Sequence, residues 1–162
     1  MGTIIRPTEL ATDETPMLAV VRHAVEAMCP HQLDTVVLLQ PTQPFRRPEH
    51  IHAALKMLEE TGADSVVSVV EIPAHYSPEY ALGIDEGQLW PTHPDIYCLD
   101  DARRRQDAEK AYSRDGTVYA IRRETIEAGS LYGKDCRALI IPRNESVNLD
   151  TEEDWALAES MA

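Results

Sequence analysis

Apolar positions along the chain follow two rhythms. Val20, Val21, Ala24, Val25 and Met28 recur at the three-and-four spacing of one helix face. Thr15-Pro16 just ahead reads as an N-cap and first helical position, and Pro30 ends the run. A second helix is predicted from about Pro48 to Thr61, where Ile51, Ala54, Leu55 and Leu58 keep that spacing and Gly62 is the stop. Val36-Val-Leu-Leu39 and Ser65-Val-Val-Ser-Val-Val70 instead run apolar without clean alternation, as strands covered on both faces do. Helix, strand, helix, strand with short links predicts parallel pairing through crossovers.

The rhythm breaks after Pro73. Tyr80 to Trp90 reads as two short strands around a hairpin turn at Asp85-Glu-Gly87, and Thr117 to Ile121 as a strand following a turn at Asp115-Gly116. A short helix over Arg123 to Ala128 leads to a last strand, Ala138 to Ile141. Asp150 or Thr151 then caps a final helix presenting Trp155, Ala158 and Met161. The expected fold is α/β, with a mainly parallel, Rossmann-like sheet, helices on both faces and a small β arm. One domain spans 1–162, with the hairpin and arm within about 74–136.

Charge narrows the partners. Fifteen Lys and Arg against 28 Asp and Glu give a formal net charge of −13, which argues against nucleic acid and anionic membranes, whose phosphates need basic contacts. No apolar run approaches membrane-span length. Cys29, Cys98 and Cys136 are odd in number and widely spaced. That suits a reducing cytoplasm and free, buried thiols. The six histidines form no metal spacing, and no nucleophile elbow appears.

The polar positions carry the candidate chemistry. Pro41 and Pro44 stop ladder pairing after Leu39 and leave Gln40, Thr42 and Gln43 at the strand's carboxyl end, where open α/β sheets bind ligands. Arg104 and Arg105 carry guanidinium forks of the kind that hold a carboxylate, but with Gln106 and beside Asp100, Asp101 and Asp107 the run reads more simply as a solvated charged loop. Asn148 and Asp150 alternate on an extended segment, so both side chains reach one side. Asp150 also fits a helix N-cap with Glu153 completing a capping box.

Six segments occur in order: LLQPTQPFR (38–46), GADSVVSV (62–69), RRQD (104–107), AYSRDGTVY (111–119), GSLYG (129–133) and SVNLDTEEDWALAE (146–159). Together they resemble the acylneuraminate cytidylyltransferases, or CMP-sialic acid synthetases, over nearly the whole chain from about Arg6. The resemblance implies transfer of CMP from CTP to the anomeric hydroxyl of a nonulosonic acid, with release of pyrophosphate, by a Mg²⁺-dependent cytoplasmic homodimer. It implies that Gln40 and Tyr119 face the acceptor sugar, that Arg104, Arg105 and Gln106 hold it, and that Asn148 and Asp150 hold the metal. Arg105, Gln106 and Asp150 are the implied catalytic set.

The departures are specific. Gln43 and Phe45 stand where the family has Ser and Leu. Asp115-Gly116 replaces Asn-Gly and is expected to bring a negative charge toward an anionic acceptor. Asn148 replaces an aspartate of the metal pair. Tyr132, in the segment resembling the dimer arm, follows Leu131 where Phe is commoner. The family's Gly-Ser-Lys-Gly phosphate loop and first strand find no counterpart. A sugar-binding or dimerisation module, or a fragment of such an enzyme, is therefore the alternative reading. Legionaminate, pseudaminate and deoxy-octulosonate are alternative acceptors.

Overall fold

In the computed structural model, residues 3–28, 34–96, 98–101 and 109–161 are described. Their elements run α1 (Met17–Met28), β1 (Thr35–Leu38), α2 (Pro48–Thr61), β2 (Ser65–Glu71), β3 (Leu82–Asp85), β4 (Gln88–Pro91), β5 (Tyr112–Arg122), α3 (Arg123–Glu127), β6 (Cys136–Ile140) and α4 (Glu152–Met161). α2 has the bounds its periodicity predicts, with Pro48 opening it and Gly62 closing it in the left-handed region at φ 67°. The hairpin is also as expected: Glu86 (φ 45°) and Gly87 (φ 84°) make the tight turn between β3 and β4.

The main sheet has the order β1-β5-β2-β6. β1, β2 and β6 run in one direction, but β5 is inserted antiparallel between β1 and β2, and the parallel ladder is β2 with β6. This corrects the expected mainly parallel sheet: the sheet is mixed. The reason lies in β5 itself. Its residues Asp115 to Ile121 are all buried, so it takes a central place that consecutive βαβ units would have given to direct β1–β2 pairing.

Alternation along β2 and β5 divides the core in two. Val67, Tyr119 and Ile121 meet Val21 and Val25 of α1, Ile126 of α3 and Leu131 on one face. Val66, Val118 and Ala120 meet Ala54 and Leu58 of α2 on the other. Each fully buried aliphatic side chain here contributes about 1.5–3 kcal/mol.

Three other expectations are corrected. Cys98 and Cys136 are free but exposed: Cys136 opens β6, an edge strand with an open outer face, and Cys98 lies in the loop between β4 and β5; Cys29 lies outside the described residues. In α4 only Ala158 is buried, while Trp155 is 58% exposed and Met161 37%. Asp115-Gly116 is not a turn before a strand but lies inside β5, which begins at Tyr112.

Candidate functional site

The carboxyl end of β1 and the middle of β5 form one corner. Between its pairings of Val67 with Tyr119 and Val69 with Arg114, β2 advances two residues while β5 advances five. The extra residues form a bulge over Asp115–Val118, a device that re-aims side chains beside binding sites. Its backbone groups are satisfied by distant side chains. Gln43 Nε2 donates to the carbonyl of Asp115. Arg46 donates to the carbonyls of Thr117 (2.6 Å) and Gly116 (3.3 Å) and to that of Gln40 in its own loop. Val118 N–H donates to the buried hydroxyl of Ser68 at 2.9 Å. Burial pulls the Arg46 guanidinium below its ordinary range, and the carboxylate of Asp115 works against that.

Gly116 sits at φ 76°, and a Cβ there would strike the Gln40 side chain. Only glycine allows that approach. Asp115 does not point a charge outward as expected. It is 4% exposed, and its carboxylate accepts from Thr117 N–H (3.1 Å) and Thr117 Oγ1 (2.6 Å). The acidic replacement is thus absorbed by the bulge.

On the α1 side of this corner lie Tyr119, buried, and Tyr132, half-buried. Burial pushes the Tyr119 phenol up, Tyr132 and Asp115 add to this, and Arg114 offsets part of it. Arg114 Nη1 donates to the Tyr132 hydroxyl, and the guanidinium lies 5.6 Å from the ring centroid. Tyr132 is held by the loop around it. Ser65 Oγ donates to its carbonyl at 2.6 Å, and Asp64 accepts from the backbone of Lys134 (2.7 Å) and Asp135 (2.9 Å).

The segment holding Asn148 and Asp150 joins the same rim: Leu149 N–H donates to the Thr42 carbonyl at 2.9 Å. Glu145, just upstream, pairs with Arg47 and with the buried His50, both at 3.0 Å, at the start of α2. The cap of α4 is Thr151, whose hydroxyl accepts from Asp154 N–H while Asp154 accepts from Thr151 N–H. Asp150 is therefore not the N-cap, and Glu153 does not complete the box. Asp150 is exposed, and Asn148 Nδ2 donates to it. Asn148 Oδ1, on the other arm of that amide, is buried without a partner. These oxygens suit a hard divalent cation. Among the described residues no group of three or more His, Cys, Asp or Glu could hold a metal on its own. Beside this segment opens a cleft of about 860 Å³ lined in part by Asn148, Asp150 and Arg143.

Gln40, Asp115, Gly116, Tyr119 and Tyr132 are thus gathered about one corner, and Asn148 and Asp150 are tied to its loop. Arg104, Arg105 and Gln106 lie outside the described residues. Sequence reasoning missed Arg46, Ser68 and Arg114. Arg46 stands inside the LQPTQPFR segment, but two of its three carbonyl partners, Gly116 and Thr117, are some 70 residues away. Arg114 faces the site only because of the bulge.

A CMP-N,N'-diacetyllegionaminic acid synthase from Legionella pneumophila is 33% identical over 97% of this chain and 67% of its own length. The chain belongs to the acylneuraminate cytidylyltransferase family. An N-acylneuraminate cytidylyltransferase from Streptococcus agalactiae is 28% identical over 96% of the chain. One from Escherichia coli is 24% identical, also over 96%. The chain spans about two thirds of the Legionella relative and 36% of each of the other two. The fold is shared with a CMP:2-keto-3-deoxy-manno-octonic acid synthetase complexed with CTP, at TM-score 0.54 and 15% identity over 86% of this chain and 68% of that one. No family model matches the chain.

Proposed function

We propose that this chain carries the acceptor side of a cytidylyltransferase. On this reading the anomeric hydroxyl oxygen of a nonulosonic acid attacks the α-phosphorus of CTP in line. A bond forms from that oxygen to phosphorus, the bond to the β-phosphate bridge breaks, and pyrophosphate leaves. Gln40 orients the sugar, with Gly116 letting it approach the bulge, and Tyr119 and Tyr132 form the wall of the pocket. Arg104, Arg105 and Gln106 grip the acceptor. Asn148 and Asp150 hold Mg²⁺, which when bound neutralises charge on the phosphoryl oxygens. The protein's contribution is mostly positioning. A homodimer in the cytoplasm, with the 74–136 region as its arm, belongs to the same reading. The exposed free thiols and the exposed Ile84 (73%) and Trp90 on the hairpin are in keeping with it.

The observation that carries the reading is the backbone bond between Thr42 and Leu149, which joins the loop of Gln40 to the segment of Asp150. The test is calorimetry with CTP, Mg²⁺ and N-acetylneuraminate added separately and then together, followed by pyrophosphate assay. Binding of the acid and pyrophosphate release are expected. Acid binding with no CTP binding points instead to a sugar-binding module. Legionaminate is the second acceptor reading, favoured by the Legionella relative's 33% identity; a lower KM for it than for N-acetylneuraminate decides between them.

A further inference from the structure

We infer that Arg114 is a specificity-determining residue that supplies a guanidinium fork to the carboxylate of the acceptor acid. The inference rests on the acceptor-site reading above and adds a residue to it.

Arg114 and Tyr119 are five positions apart, so on a regular strand they point to opposite faces. The bulge cancels that parity. Tyr119 pairs with Val67 and Arg114 with Val69, two residues that share one face of β2, so their cross-strand partners share it too. The side-chain contacts agree: Arg114 bonds the Tyr132 hydroxyl, and Tyr132 packs on the cluster that contains Tyr119.

The charge arrangement selects the ligand class. Asp115, next to it in sequence, is buried and turned onto Thr117. Arg46, which also reaches this corner, is spent on backbone carbonyls. Arg114 is exposed and uses Nη1 on Tyr132, while its Nε and Nη2 bond no described residue. That leaves one edge of a planar fork open, preset by a phenol and a ring face, in the geometry that takes a carboxylate bidentately.

The experiment titrates N-acetylneuraminate and its carboxyl methyl ester into the full chain and into Arg114→Ala, Arg114→Lys and Gln40→Ala. The wild type is expected to prefer the acid. Arg114→Ala is expected to lose about tenfold in acid affinity and leave the ester unchanged, abolishing the preference; Arg114→Lys restores only part of it. Gln40→Ala is expected to weaken both ligands alike. An Arg114→Ala variant that keeps the preference, or weakens acid and ester equally, overturns the role of Arg114 while Gln40→Ala still supports the pocket. A wild type that binds neither ligand overturns the acceptor-site reading, and this inference with it.

Discussion

The two halves of the rim are built in opposite ways. At the β5 bulge the carbonyls of Asp115, Gly116 and Thr117 each receive a side-chain donor from the 40–46 loop, and Val118 N–H is met by Ser68. At Asn148–Asp150 the tie to that loop is one backbone bond and a carboxylate stands in solvent, while each side leaves one buried amide oxygen without a partner, Gln43 Oε1 at the bulge and Asn148 Oδ1 here. The bulge corner is held by many side-chain donors, which on the proposed reading suits the positioning of a sugar. The other side leaves Asp150 open to solvent, which on the same reading a cation completes.

Arg46→Ala is the largest break in this contrast. It strips a charged donor from three carbonyls at once, and bonds to charged groups are worth roughly 1.5–3 kcal/mol each, not additively. A loss of about 3 kcal/mol in chemical denaturation is expected, with acid binding abolished and Arg46→Lys recovering less than half. Gly116→Ala comes next. It forces an L residue into the left-handed region and its methyl into the Gln40 amide. About 2 kcal/mol of stability is expected to go, together with about tenfold in acid affinity. If Gly116→Ala instead binds the acid like the wild type, the close approach of Gln40 has no part in recognition.

The contrast also explains what could be read from the residues. α2 was legible to the residue because its start, period and stop are local. β5 was not. Asp115-Gly116 is a turn dipeptide by every local rule, and it becomes an in-strand bulge only because Gln43, Arg46 and Ser68 come from far along the chain to hold it. The same bulge reverses the facing of Arg114, so alternation counted from Tyr119 assigns it to the wrong side. The sheet order failed for a related reason: a strand that arrives late in the chain takes a central place by burying both faces. At Asn148–Asp150 the residues alone favour a helix cap at Asp150, the ligand pair comes from the family resemblance, and it took the structure to show that Thr151 and Asp154 leave Asp150 outside the cap.

A smaller effect sharpens the rigid half. Backbone N–H groups of Asp135 and then Lys134 hold the Asp64 carboxyl below its ordinary value of 3.8. A folded-state pKa depressed below the unfolded one gives stabilisation that is full above the unfolded value and is lost as pH falls through the folded value. Melting temperatures followed from about pH 5 to about pH 2 are expected to fall more steeply for the wild type than for Asp64→Asn. Equal slopes would mean that this carboxylate does not hold the loop of Tyr132.

Asn148→Asp tests the open half, and its expected cost in the metal-free protein is the smallest. The substitution replaces the donor amide by a second carboxylate, so the bond from Asn148 Nδ2 to Asp150 becomes a like-charge contact. Near the surface that repulsion is worth about 0.5–1 kcal/mol and is screened by salt, so the melting temperature without metal is expected to drop slightly, and less at high salt. With Mg²⁺ the sign reverses. An added unit of negative charge beside a divalent ion strengthens its binding on the order of tenfold at the dielectric of a protein surface. Titration of Mg²⁺ against the thermal transition therefore should show a larger stabilisation for Asn148→Asp than for the wild type. Acid binding in the absence of metal should not change, because the bulge corner keeps every donor it has. A variant in which Mg²⁺ stabilises no more than in the wild type, or in which acid binding falls, would show that the two halves of the rim are not separable in the way their hydrogen bonding implies.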